Sequence, residues 1–181
     1  MLGQSAAFSC PPAQFGIQMN RGARIYFDAL NAQGGVNGNT IEPRTLDDCY
    51  EPARCKANTD KFIKDEAFAL FGYVGTPTSL AALPLVIETG LPFFGPFTGA
   101  EALRDPFHKT VFHLRASHHD EAALIVKQLT SLGLKKSPCS TKTTPTARPA
   151  LKACAARSRR KAWSRWGTAP SRATRWTSRP P

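Results

Sequence analysis

Between Phe68 and Ala100 two short apolar runs each stop at a glycine and open into a small, hydroxyl-rich turn. Phe68-Ala69-Leu70-Phe71-Gly72-Tyr73 leads into Val74-Gly75-Thr76-Pro77-Thr78-Ser79, and Leu91-Pro92-Phe93-Phe94 leads into Gly95-Pro96-Phe97-Thr98-Gly99-Ala100. A short continuous apolar run bounded by turn residues is the pattern of a strand buried on both faces, as in a parallel sheet. The Ala/Leu-rich segment between the runs predicts a crossover helix from Thr78 to about Glu88, stopped by Gly90. In such a unit ligands sit outside the carboxyl ends of the strands, where Thr76, Thr78, Ser79 and Thr98 fall.

The rest of the chain repeats this alternation. Met1 to Ala7 reads as a short first strand and Phe8 to Gln14 as a loop. Phe15 to Ala32 places Phe15, Ile17, Met19, Ile25, Tyr26, Ala29 and Leu30 at spacings that include those of an amphipathic helix, weakened by Gly16 and Gly22. Gln33 to Gly38 ends it with residues tolerant of positive φ. A strand from Thr40 to Leu46 runs into Asp47-Asp48. A helix from Ala53 to Lys64 follows Pro52, with Ala57, Phe62 and Ile63 as its inward positions. Thr110 to Leu114 predicts a further strand, and Asp120 to Leu132 a helix presenting Ala122, Ile125, Val126 and Leu129, stopped by Gly133. Strands alternating with helices at this spacing predict an α/β fold with a mostly parallel sheet.

Charge divides the chain. Of its 24 Lys and Arg residues, 13 lie from Lys135 onward, where there is no Asp or Glu; the remaining 11 face all 13 acidic residues in the first 134 positions. The excess of +11 is therefore a property of the tail, where Trp163, Trp166 and Trp176 are interleaved with cations. Such a tail binds polyanions in a salt-dependent way, which makes nucleic-acid binding the alternative function. No run approaches the roughly 18 apolar residues of a membrane helix, and no charged-then-apolar signal segment precedes the first loop, so the chain as written carries no export address. The five cysteines, 10, 49, 55, 139 and 154, lack metal-ligand spacing; Cys49 and Cys55 are near enough to pair in an oxidising compartment, and two free thiols suit the spacing equally.

Enzymatic signatures are missing. Gly72, Gly75 and Pro77 do not make a Gly-x-Gly-x-x-Gly cradle, and there is neither a Gly-x-Ser-x-Gly elbow nor a phosphate-binding Gly-Lys-Ser/Thr. Asp47-Asp48, at a strand end, suits a turn better than general acid and base work. His118-His119-Asp120-Glu121 does not predict a metal site, because adjacent histidines at a helix start diverge and no third ligand has useful spacing. Neither an enzyme nor a cofactor is expected.

Taken in order, Tyr26-Phe27 through Asn31-Ala32-Gln33-Gly34-Gly35-Val36-Asn37-Gly38, Asp47-Asp48 with Tyr50-Glu51-Pro52, Gly72 to Ser79, Pro96 to Ala100 and Arg115-Ala116-Ser117 resemble substrate-binding proteins of ABC transporters for branched-chain amino acids. These are periplasmic binding proteins of the type I fold, and the resemblance runs from Leu2 to Lys136. It implies the first lobe of a two-lobed clamp, a partial Rossmann-like three-layer αβα unit that closes on a small solute and delivers it to membrane permease subunits. Carried over by position, Thr76, and Thr98 or the adjacent Phe97 and Gly99 backbone, are the expected contacts for an amino acid or similar carboxylate. Thr78 and Ser79 supply hydroxyls and amides at a helix N-terminus; the same hydroxyls would also serve as helix caps. Ser9 in the first loop joins this set. His118 stands where the resemblance leads one to expect an aromatic ligand-facing residue.

Other departures are Cys10 and Cys49, each standing where the resemblance leads one to expect glycine. The tail departs most. Residues 1–136 read as the partial lobe, and residues 137–181 as a disordered basic tail or the same gene read out of frame. With suitable codons Pro138-Cys139-Ser140-Thr141 shifts by one base to Ala-Val-Leu-Tyr, an apolar strand of the kind the resemblance calls for there. The expectation is a fragment without its second lobe, from a periplasmic family but cytoplasmic as written.

Overall fold

The computed structural model describes residues 1–133. Met1–Ser117 forms one unit on a five-stranded parallel sheet of β1 (Leu2–Ala6), β2 (Pro43–Asp47), β3 (Ala69–Phe71), β4 (Phe93–Phe94) and β5 (Val111–Phe112), in the order β2-β1-β3-β4-β5. Helices α1 (Ala13–Ala32), α2 (Pro52–Lys64) and α3 (Thr76–Thr89) join the first four strands, and a short 3-10 turn, Glu101–Leu103, precedes β5. Helix α4 (His118–Ser131) opens a second unit that begins at His118.

Register decides which side chains share a face. Leu70 pairs with Phe93 and Phe93 with Val111, so all three point to one side of the sheet. There they meet Cys55 and Phe62 of α2, Ala82 and Val86 of α3, and Tyr73, in a core whose larger members have no exposed surface. Gly3 belongs to this face because Phe62 lies directly on it: a Cβ at Gly3 would stand 2.6 Å from Phe62 Cγ. The opposite face belongs to α1. Gln4 Oε1 accepts from Asn20 Nδ2 at 2.8 Å, and Phe71 meets Phe27 edge to face at 5.6 Å. Helices on both sides of a parallel sheet make the three-layer α/β architecture expected from the sequence.

Local chemistry explains the bounds. Gly90 ends α3 in the left-handed conformation at φ +70, with its amide on Val86 O. Pro77 sits in the first turn of α3, where a missing N–H is harmless, so the helix begins at Thr76, two residues before its expected start. Gly16 lets the first turn of α1 lie against the end of β1, for a Cβ there would collide with Ala7 O.

Three expectations are corrected. The buried stripe of α2 is Cys55, Thr59 and Phe62, whereas Ala57 is exposed and Ile63 half-buried. Thr59 enters the core because its hydroxyl is satisfied within the helix, by Cys55 O at 2.8 Å. The cysteines pair as Cys10–Cys49, with Cα atoms 5.5 Å apart, while Cys55 is a buried free thiol. The cause is register: Ala6 lies opposite Asp47, so the loops leaving β1 and β2 emerge side by side, while Cys55 has already turned inward on α2. In the second unit Ile125, expected on the inward stripe of α4, is largely exposed. Among the described residues no helix is long and apolar enough to cross a membrane. The expectations for residues 137–181, the altered reading frame and the tryptophan-bearing basic surface, lie outside the described residues.

Candidate functional site

The chain leaves β1 for β2 on one side and later returns to β3 on the other, so the loops after β1 and β3 diverge at the carboxyl edge of the sheet. A crevice at such a reversal is the usual ligand position in an open parallel sheet. Four loops gather at this edge: 7–12 after β1, 48–51 after β2, 72–75 after β3 and 95–100 after β4.

The last two are tied together. Phe97 N donates to Tyr73 O at 2.7 Å, extending the β3–β4 pairing past the kinks at Gly72 and Gly95, both at positive φ. This extension brings Thr76 and Thr98, 22 residues apart, to a hydroxyl–hydroxyl distance of 2.6 Å. Thr98 is buried and its hydroxyl also accepts from Ala100 N at 3.2 Å; Thr76 is half-buried. Each hydroxyl owns one hydrogen, and the bond between the pair consumes one of the two. The pair therefore keeps a donor and spare acceptor lone pairs, a combination suited to a small solute carrying a carboxylate, amide or ammonium group.

The other expected residues are placed around this pair. Thr78 is fully buried, and its hydroxyl donates back to Val74 O (2.7 Å) and Gly75 O (3.1 Å). Ser79 is also fully buried; its amide is taken by Gly75 O, and its hydroxyl has no partner among the described residues. Phe97 is exposed, with the Arg115 guanidinium 5.2 Å above its ring, and Gly99 is buried beside Thr98. Arg104 braces this loop, its Nη2 donating to Arg115 O at 2.7 Å and to Thr98 O at 3.5 Å. His118 lies in the second unit, its Nδ1 3.7 Å from Glu121 Oε2.

Ser9 is engaged elsewhere. Its amide and hydroxyl both donate to the Asp47 carboxylate, at 3.1 and 2.6 Å, alongside the amides of Phe8 (2.7 Å) and Cys49 (3.2 Å) and Arg54 Nη2 (3.1 Å). Partial burial pushes this carboxyl up, but the bonds from the Ser9 hydroxyl and the three amides prevail and hold it well below the usual carboxylate range. Asp47 thus fastens the loop after β1 to the loop after β2. Asp48 faces inward with no exposure, accepting from Ser5 Oγ and Tyr50 N, each at 2.8 Å; its burial raises its pKa against those bonds. Cys55 beside it is pushed up to about 12, chiefly by burial.

Tyr50 is a component that sequence reasoning passed over. Its phenol end lies on Gly75: a Cβ at Gly75 would stand 2.7 Å from Tyr50 Cζ and 2.8 Å from its hydroxyl oxygen. Gly75 and Thr76 thus meet Tyr50 where α3 begins. The only mark of Tyr50 in the sequence was its place in the motif Asp47-Asp48 with Tyr50-Glu51-Pro52, which assigns it no role and gives no hint of positive φ.

Comparison with known proteins agrees with this architecture. Residues 2–161 match the family described as "Periplasmic binding protein", a match that continues past Lys136. A leucine-, isoleucine-, valine-, threonine- and alanine-binding protein of Pseudomonas aeruginosa is 26% identical over 102 residues, 56% of this chain and 27% of that protein. The crystal structure of a possible leucine/isoleucine/valine-binding protein from Rhodopirellula baltica superposes with a TM-score of 0.81 at 35% identity, over 91% of this chain and 45% of that one. A substrate-binding periplasmic protein from Ralstonia solanacearum gives 0.81 at 29% identity, over 90% and 46%. The chain spans between about a quarter and half the length of these relatives. With its three-layer parallel sheet, its hydroxyl-lined carboxyl edge and a match over most of its length, the chain belongs to the periplasmic binding protein family and has the type I fold of that family.

Proposed function

We propose that this chain is the solute-gripping first lobe of a receptor for an ABC transporter, serving branched-chain amino acids or a related small carboxylate or amide. The carrying observation is the Thr76–Thr98 hydroxyl pair at the start of α3, brought together where the β3–β4 pairing extends past the strand ends. Ser79, buried one turn into the same helix with a hydroxyl that has no partner among the described residues, supports a polar ligand there. In the whole receptor a second lobe closes over this edge and the closed form docks on permease subunits. This chain spans under half the length of its structural relatives and holds one face of the clamp. The Cys10–Cys49 cross-link fits an oxidising compartment such as the periplasm.

One lobe encloses little of a solute, so calorimetry with leucine, isoleucine, valine and small amides should record no measurable heat. At about 10 mM solute, in the range where weak contacts still register, amide NMR shifts should move at Thr76, Thr98 and Ala100, and Thr76→Val with Thr98→Val should abolish them. Shifts absent at those residues for every solute, or unchanged in the double variant, overturn the reading.

A further inference from the structure

Three strained residues from two loops converge on the start of α3. Cys10, Cys49 and Tyr50 are non-glycine residues at φ +67, +52 and +65, in the left-handed region where a side chain costs about 1 kcal/mol or more each. A conformation of that kind persists only where its surroundings impose it. Here Asp47 binds the Cys49 amide, Asp48 binds the Tyr50 amide, and the disulfide joins Cys10 to Cys49 across the two loops. What the imposed backbone achieves is the placement of Tyr50, whose ring fills the space a side chain at Gly75 would need. Gly75 itself is at φ +106, leaving its surface open to the ring. Thr76 follows Gly75 directly in the first turn of α3, and it is the residue whose hydroxyl meets Thr98.

We propose that the Cys10–Cys49 cross-link, acting through Tyr50, is a positioning device for the solute site: it presses the phenol onto Gly75 and fixes the first turn of α3, so that cleaving the disulfide loosens that turn without unfolding the lobe. A dithiol reductant supplies the chemistry. It transfers two electrons and two protons to the cystine sulfurs, leaving two cysteine thiols, and itself closes to a cyclic disulfide. Released from the bond, Cys49 and Tyr50 can leave the left-handed region, and the ring leaves Gly75 with them. The significance of the device rests on the solute site proposed above, but its operation is read in the protein alone. A failure to bind solute therefore leaves this test intact.

The test is amide hydrogen exchange on the full chain, oxidised and after reduction by dithiothreitol, with Tyr50→Phe and Tyr50→Ala as variants. Reduction should raise exchange at Thr76 about tenfold as the first turn of α3 loosens, a change of about 1.4 kcal/mol, while Leu70 and Phe93, bonded within the sheet to Pro92 O and Thr110 O, stay unchanged. Tyr50→Ala in the oxidised chain should reproduce the rise and make Thr76 insensitive to reduction. Tyr50→Phe, which keeps the ring but loses the hydroxyl, should show a smaller rise. Unchanged exchange at Thr76 on reduction overturns the proposal. So does a parallel rise at Leu70 and Phe93, which would make the disulfide a general staple, and so does a Tyr50→Ala chain that still responds to reduction at Thr76.

Discussion

Tyr73 and Thr59 form a buried hydroxyl pair whose two halves should fail unequally. Both residues have no exposed surface, and their oxygens are 3.0 Å apart. Thr59 spends its single hydrogen on Cys55 O at 2.8 Å, so it must accept from Tyr73. Burial agrees, pushing the phenol far above its ordinary value and keeping it a neutral donor. Tyr73→Phe removes the donor and leaves Thr59 still bonded to Cys55, a loss of about 1 kcal/mol. Thr59→Val preserves shape but strands a phenol O–H in an apolar core, at about 2–3 kcal/mol. The double variant has no stranded group and should cost about 1–2 kcal/mol, well below the sum of the singles. Read by urea denaturation with a slope of about 1.5 kcal/mol per molar, the midpoint should fall by about 0.7 M for Tyr73→Phe and about 1.5 M for Thr59→Val. Equal shifts for the two singles, or strict additivity in the double, would refute the donor assignment and the argument from it.

Three further substitutions test the frame around the site. Asp47→Asn should cost about 2 kcal/mol at pH 7, the scale of bonds to a charged acceptor. Because the folded carboxyl is held below its unfolded value of about 3.9, its contribution is complete above that pH and disappears as the pH falls through the folded value; the gap between variant and parent in urea midpoint should therefore narrow in acid and stay constant from pH 5 to 7. A gap that widens in acid contradicts the assignment of Asp47 as the loop fastener. Gly3→Ala should cost about 2 kcal/mol in the same assay because Phe62 has nowhere to retreat, whereas Gly90→Ala, which meets nothing within 4 Å, should cost only about 1 kcal/mol, from its φ of +70. Equal losses at the two glycines would show that Phe62 is not seated as described.

Much of the unit was readable because its information is local. Phe68 to Ala100 carries its own strand, glycine stop, helix and second strand, and the core from Leu70 to Phe93 follows from that order. The Thr76–Thr98 pairing follows too, since parallel neighbours joined by a helix present equivalent turns at one edge. Contacts set by register were not readable. Cys10 and Cys49 lie 39 residues apart and meet because Ala6 stands opposite Asp47, a relation that no spacing rule contains. Tyr50 was hidden for a stricter reason: positive φ at a tyrosine runs against intrinsic preference, and only its neighbours impose it. Ser9 and Thr78 were named for their hydroxyls, but hydroxyl count does not reveal which partner is nearest; Asp47 holds one and the backbone of α3 the other. The α2 stripe was missed because Thr59 is polar by composition and apolar in effect once its hydrogen is spent within the helix.

The central place of β1 has a consequence for how the chain is made. Leu2 and Gly3 are synthesised before any of their partners, yet they pair on one side with Pro43 and Arg44 and on the other with Ala69 and Leu70. β1 is thus bonded on one edge once β2 has emerged and on both only when β3 follows. At about 5–20 residues per second that wait lasts several seconds. Until then at least one edge of β1 presents unpaired N–H and C=O groups, the interval in which a nascent sheet is most open to pairing with another chain.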